Sequence, residues 1–182
     1  MPCGQTHTFW GPGLSQGHSN AIRSIKGVKY AVQYTLPKDE ALKQVRLGSS
    51  ALTKQQKHIR ECFVVADQVD EQRIEQEIKT MPVYFEGYET TVHFITEQEF
   101  RDNHDGRLGH GGFVLGSDGK SVAEFGLKLQ SNPFFTASVM IAYARALIKL
   151  KSQDFKGALT VLDIAPGLLT KKDRIEAVSD FV

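Results

Sequence analysis

Two spacings of apolar residues alternate along this 182-residue chain, every second position and every third or fourth, and that alternation predicts strands interleaved with helices. Residues 7–10 end a first strand. A glycine-containing loop, 11–17, leads into a short helix through Ile22 and Ile25, which Gly27 closes. Residues 28–35 read as a strand from their β-branched and aromatic content. A period of two puts Val28, Tyr30, Val32 and Tyr34 on one face and Lys29, Ala31, Gln33 and Thr35 on the other. A helix begins near Pro37, with Asp39 and Glu40 in its first turn and Arg46 near its end, as the helix dipole prefers.

Beyond the polar stretch Gly48-Ser49-Ser50, residues 58–66 form a second strand and 70–80 an amphipathic helix, with Val69, Ile74, Ile78 and Met81 at helical spacing. A third strand covers 91–96, and 101–112 is a long polar loop of the kind that is often functional. Strands at 112–115 and 122–129 flank the turn Gly116-Ser117-Asp118-Gly119, which predicts a hairpin. Asn132, as N-cap, and Pro133, at the first helical position, open the longest helix, 134–151. That helix is apolar nearly all round, so it is expected to be a buried spine, or to pack on the sheet and on a second subunit. Residues 158–164 add a strand, and 171–182 a terminal helix. The sum is an α+β two-layer sandwich, a mixed, mostly antiparallel sheet with helices packed on one face. No repeat or linker divides the chain, so 1–182 is read as a single domain.

Composition narrows the function classes. With 22 basic and 21 acidic residues, there is no electrostatic reason to expect nucleic acid or an anionic membrane as partner. No apolar run approaches the roughly 20 residues that cross a bilayer, and the first residues lack the pattern of a signal peptide. Cys3 and Cys62 are far apart, with no CxxC, so a reduced, cytoplasmic protein with Cys62 as a small core residue is the simple reading.

Local patterns offer chemistry without deciding it. The loop Gly11-x-Gly13-x-x-x-Gly17 between a strand and a helix invites a nucleotide reading. Only about four strand-like residues precede it, however, and no acid follows the second strand at Thr35 or Leu36 to bind a ribose. Recognition of a substrate ammonium or carboxylate, or an ordinary tight turn, are the other readings. His58, His93, His104 and His110 show no metal-ligand spacing. His110-Gly111-Gly112 would let a ligand approach closely. Arg60, on one strand face with His58, Cys62 and Val64, needs an anionic partner, either a ligand or one of the chain's own 21 acids. No Ser-His-Asp or Cys-His arrangement is arguable, so no residue is assigned as catalytic.

Several segments together closely resemble the C-terminal region of the meso-diaminopimelate dehydrogenase family. They are Thr8-Phe9-Trp10-Gly11-Pro12-Gly13-Leu14-Ser15-Gln16-Gly17-His18-Ser19, Ala31-Val32-Gln33-Tyr34-Thr35-Leu36-Pro37, Cys62-Phe63-Val64-Val65-Ala66-Asp67, His110-Gly111-Gly112, and Leu127-Lys128-Leu129 followed by Asn132-Pro133 and Phe135-Thr136-Ala137-Ser138. The resemblance implies an NADP-dependent oxidative deamination of the D-centre of meso-2,6-diaminopimelate to L-2-amino-6-oxopimelate, in lysine and diaminopimelate biosynthesis. It also implies that a Rossmann domain holding NADP precedes this region and is absent here, so that the isolated chain is inactive. This region would grip the distant L-centre and form a homodimer interface.

Carried over by motif, Arg60 pairs with the L-centre carboxylate, which suits a planar guanidinium with two parallel donors. Thr35, His110 and Asn132 complete that grip. Near the D-centre the resemblance supplies Trp10 as an apolar wall, with Leu14, Gln16 and Gly17 as contacts. Two departures stand out. Asn20 occupies a position where the family usually has aspartate, keeping size and hydrogen bonding while losing charge, and Arg107-Leu108-Gly109 replaces a common Met-Pro before His110. The alternative function is a non-catalytic dimerising or amino-acid-binding remnant, and a third is a small nucleotide-binding reductase using the Gly11 to Gly17 loop.

Overall fold

The computed structural model describes residues 5–48, 51–106, 109–152 and 155–179. Cys3, Ser49, Ser50, Arg107 and Leu108, which entered the sequence reading, lie outside the described residues, as does 180–182 of the expected terminal helix. Contacts divide the chain into two compact units, Met1–Gln130 and Ser131–Val182.

In the first unit the elements follow the order β1 (Gln5–Trp10), β2 (Gly13–Leu14), α1 (Gln16–Arg23), β3 (Val28–Pro37), α2 (Asp39–Arg46), α3 (Lys54–Lys57), β4 (His58–Ala66), α4 (Glu71–Thr80), β5 (Glu89–Phe94), α5 (Glu97–Asn103), β6 (His110–Ser117) and β7 (Val122–Leu129). The α+β class of the sequence reading holds. The strands form two sheets, one of four strands ordered β2-β3-β4-β5 and one of three ordered β1-β6-β7. The first is mixed, since β3 runs antiparallel to β4 and β4 parallel to β5; the second is antiparallel throughout.

Both faces of the four-stranded sheet are covered. On one, Ala31, Cys62 and Val64 meet Ile22 and Ile25 from α1 and just beyond it, Ile74 and Ile78 of α4, and Phe85. On the other, Leu14, Val32 and Val65 close on Phe100 of α5. The three-stranded sheet packs Phe9 and Leu115 against Ala41 and Val45 of α2.

Some expectations are corrected. Val28 joins the Ala31 face instead of the Tyr30 face, because a register shift between Val28 and Tyr30 inserts one residue and reverses the parity. Val69 is 93% exposed, since α4 begins only at Glu71. Within the supposed loop 101–112, residues through Asn103 belong to α5, whose capping box of Thr96 and Glu99 was readable in sequence.

The second unit contains α6 (Asn132–Lys151), α7 (Pro166–Leu169) and α8 (Arg174–Ser179). Ser131, not Asn132, is the N-cap of α6: its Oγ accepts from the Phe134 N–H, so Asn132 is the first helical residue. Helix α6 is no buried spine within the described residues, for only Ala146 is buried. By length and composition it is apolar enough to cross a membrane. Ser138, Tyr143 and Arg145 interrupt its apolar residues, so the sequence shows no unbroken run of that length. Residues 158–164 hold a single 3-10 turn, Val161–Asp163, capped by Thr160 and Asp163, in place of the expected strand. The Lys149 ammonium donates to the Thr170 carbonyl at 2.9 Å.

Candidate functional site

The antiparallel pairing of β3 with β4 sets Thr35 opposite Arg60 and Gln33 opposite Cys62, so all four side chains share one sheet face. Arg60 is 8% exposed. Its Nη1 donates to the Thr35 hydroxyl, and the Gln33 amide nitrogen donates to that same oxygen at 3.3 Å. The guanidinium lies over the Tyr88 ring, 4.3 Å from its centroid, and also hydrogen-bonds with Tyr88.

Among the described residues no carboxylate makes an ion pair with Arg60, and its Nε–H has no acceptor. Burial lowers the guanidinium from its ordinary value while Tyr88 opposes that shift; an arginine stays charged through such a change. A cation taken out of water carries a penalty of several kcal/mol, and a ring face returns only about 0.5–2 kcal/mol. The pair is therefore short of an anion. The acids among the described residues, offered by the sequence as possible partners, do not supply one.

His18 reinforces this electrostatic setting. Its Nδ1 is 2.6 Å from the Ser15 hydroxyl, and Tyr84 and Phe85 stand edge-on to its ring. Burial lowers its pKa to about 4, the Arg60 charge adds to the drop, and a backbone bond with Tyr84 opposes it. The imidazole is neutral at pH 7, leaving Arg60 the fixed positive charge of this face.

A second group surrounds the end of β1. The Trp10 indole is 53% exposed and lies 6.2 Å from the His110 ring at an interplanar angle of 28°. The His110 Nδ1 donates to the Leu14 carbonyl at 3.0 Å. Leu14 and His110 line a cleft of about 1250 Å³ together with Pro12, Tyr34 and Leu127. Leu14 also reaches a smaller cleft of about 300 Å³, shared with Gln16, Asn20 and Arg23. Gln16 and Gly17 open α1 and are both exposed, and the Asn20 Oδ1 accepts from Arg23.

The structure thus joins Thr35 with Arg60, Trp10 and Leu14 with His110, and Gln16 with Asn20. The Arg60–Thr35 pair lines neither of these two clefts. Asn132 is exposed at the first position of α6, in the second unit. Sequence reasoning placed Gln33 on the Thr35 face and His58 on the Arg60 face, but did not reach Tyr88 or His18 as neighbours of Arg60. Tyr88 carried no local signal.

Two glycines have a different purpose from the one their motifs suggest. A Cβ on Gly11, whose φ is +91°, would stand 1.9 Å from the Thr35 carbonyl oxygen. One on Gly111 would stand 2.7 Å from the Leu127 oxygen. Their missing side chains make room for the protein's own backbone, and Gly111 is explained without a ligand.

Comparison with known proteins resolves the family. Residues 1–131 match the diaminopimelic acid dehydrogenase C-terminal domain. The chain belongs to that family. Among meso-diaminopimelate D-dehydrogenases, that of Ureibacillus thermosphaericus is 55% identical over 180 residues, covering 94% of this chain and 55% of the relative. That of Corynebacterium glutamicum is 53% identical over 174 residues, covering 93% and 54%. This diaminopimelic acid dehydrogenase C-terminal domain chain therefore spans about half the length of the curated relatives it matches.

Solved structures agree. The C. glutamicum DAP dehydrogenase in complex with DAP superposes with a TM-score of 0.85 at 49% identity, covering 98% of this chain and 57% of that one. An engineered D-amino acid dehydrogenase gives 0.88 at 48%, covering 98% and 58%, and the same engineered enzyme bound to NADP+ gives 0.80 at 47%, covering 98% and 57%. The Gly11 to Gly17 loop of this family member does not fit a dinucleotide. The space that Gly11 would lend to a pyrophosphate is filled by the Thr35 carbonyl, and β2 pairs back onto β3 within the same loop.

Proposed function

We propose that this chain is the substrate-gripping and dimerising part of a meso-diaminopimelate D-dehydrogenase. The observation that carries this reading is the buried, ring-stacked Arg60 with no carboxylate partner among the described residues. The reaction is the oxidative deamination of the D-centre of meso-2,6-diaminopimelate to L-2-amino-6-oxopimelate and ammonia, within diaminopimelate and lysine biosynthesis in the cytoplasm. NADP, when bound by another part of the enzyme, supplies the hydride acceptor.

In this reading Arg60 and Thr35 receive the L-centre carboxylate. The guanidinium, already held on one side by Tyr88, offers charge-assisted donors, and Thr35 supplies a hydroxyl whose own hydrogen is free to turn toward the ligand. His110 and Asn132 add polar contacts. Trp10 walls the D-centre, with Leu14, Gln16 and Gly17 beside it, and Asn20 offers that region hydrogen bonds without the aspartate's charge. Fixing both ends of a nearly symmetric diacid discriminates stereoisomers, because the wrong one leaves a buried donor unmatched.

The same reading makes the protein a homodimer. The exposed Phe134, Met140, Ile141, Leu147 and Ile148 of α6 supply an apolar surface of the kind a second copy covers.

Titration calorimetry of the 182-residue chain tests the proposal. Saturable binding of meso-diaminopimelate, with no NADPH binding in a parallel fluorescence titration, is the expected result. NADPH binding without diaminopimelate binding would favour the reductase reading, and binding of neither would leave a purely structural remnant.

A further inference from the structure

His58 is 3% exposed, and both of its ring nitrogens are engaged. Nε2 accepts the Trp10 backbone N–H at 2.8 Å, while Nδ1 faces the Lys54 carbonyl at 3.0 Å and so carries the ring proton. The Phe9 ring meets the imidazole edge-on at 5.9 Å. This bond crosses between sheets, because His58 opens β4 of the four-stranded sheet and Trp10 ends β1 of the three-stranded one. A neighbouring tie runs the other way, the Lys57 ammonium donating to the Thr8 carbonyl of β1 at 3.0 Å.

We propose that His58 is a positioning residue for Trp10, its neutral imidazole holding the last backbone N–H of β1 and thereby setting where the indole stands. The arrangement reaches further. The indole stacks near His110, which in turn donates to the Leu14 carbonyl, so one side chain from the Arg60 strand orders three of the residues assigned to the substrate. An imidazolium at His58 presents N–H to N–H and releases Trp10. Among the described residues the groups that act on His58 are cationic or neutral: the Lys54 carbonyl and the Lys57 ammonium of α3, Arg60 two positions along β4, and the phenyl ring of Phe9 on β1. Burial, Arg60 and Lys57 all keep the ring neutral, against the opposing pull of the Lys54 carbonyl. The consequence for catalysis rests on the proposed substrate reading; the hold on Trp10 does not.

Trp10 is the one tryptophan of the chain, so the emission reports on its surroundings, with His110→Asn separating the His110 contact from that of His58. The test compares the full chain with His58→Gln, which keeps an acceptor near the Nε2 position, and His58→Asn, which does not, after circular dichroism confirms that each folds. Expected are a red-shifted, more readily acrylamide-quenched Trp10 in His58→Asn and wild-type emission in His58→Gln. Wild type should show an acid transition in emission, with a midpoint below the ordinary histidine value, that is lost in His58→Gln and kept in His110→Asn. Meso-diaminopimelate affinity should fall about tenfold in His58→Asn, the equivalent of one hydrogen bond. Unchanged emission and quenching in His58→Asn would overturn the inference while leaving the substrate reading intact. Altered emission with unchanged affinity would instead remove Trp10 from the substrate site.

Discussion

In residues 1–130 the aliphatic and aromatic side chains of α1, α4 and the four-stranded sheet close on one another, with Ile22, Ile74, Ile78 and Phe85 fully buried. In residues 131–182 the twenty-residue helix α6 buries only Ala146, and Phe134, Met140 and Ile148 face outward. The first unit closes a core of its own, though Val122 and Phe125 of β7 stay exposed, and it encloses a cation, Arg60, that none of its described acids neutralises. The second displays apolar surface that its described residues do not cover. In the proposed reading the two units await different things, the unmatched charge a carboxylate and the exposed hydrocarbon a protein surface.

Mutations sharpen the contrast, beginning with the core. Phe85→Ala should cost about 3–5 kcal/mol in urea unfolding, because a cavity opens beneath the sheet. Phe134→Ala on α6 should cost well under about 1 kcal/mol in the isolated chain. Equal losses would mean that α6 finds its cover within the chain.

Acid should weaken the first unit next. His18 is held neutral in the fold, its pKa lowered to about 4 by burial and by Arg60. The unfolded chain takes up a proton near pH 6.5 while the folded one does not, so stability is full above that value and falls as the pH drops toward 4. The loss between pH 6.5 and 5 should be on the order of 2 kcal/mol, reduced in His18→Gln. Urea midpoints measured across that range give the answer, and a flat profile would show that His18 is solvated.

Removing the ring beneath the guanidinium is a smaller perturbation. Tyr88→Leu should weaken meso-diaminopimelate binding by roughly 1 kcal/mol, the worth of a partly buried cation–π contact, while Tyr88→Phe should lose less. Calorimetry distinguishes them. The least change in folding stability is expected from Ile141→Glu on the exposed face of α6, within about 0.5 kcal/mol. Sedimentation should nevertheless show the proposed homodimer dissociating. A dimer that survives the charge would place its interface elsewhere.

Much of the fold was legible because its signals are local. Strand β4 appears at the residues its β-branched run marks, 58–66, and α2 where Asp39, Glu40 and Arg46 match the helix dipole. What misled was information that residues carry only in context. One inserted residue at Lys29 reversed the facing of Val28, and Ser131 won the cap of α6 from Asn132 because its hydroxyl reaches the Phe134 N–H. The apolar composition of α6 called for a cover without saying whether that cover lies inside the chain.

The site divides similarly. Arg60 and Thr35 were singled out separately, and their contact follows from a strand register that no single segment encodes. Tyr88, and the bond of His58 to Trp10, entered only through folding, since a ring beneath a cation and an imidazole beneath a backbone N–H leave no spacing to read.

The central claim, that the buried Arg60 awaits a substrate carboxylate, is tested most directly by calorimetric titration of meso-diaminopimelate into wild type, Arg60→Lys and Arg60→Met. The account predicts saturable binding by wild type, marked weakening in Arg60→Lys, where a point charge replaces the planar fork, and loss of binding in Arg60→Met. Arg60→Met binding the diacid as tightly as wild type would contradict it.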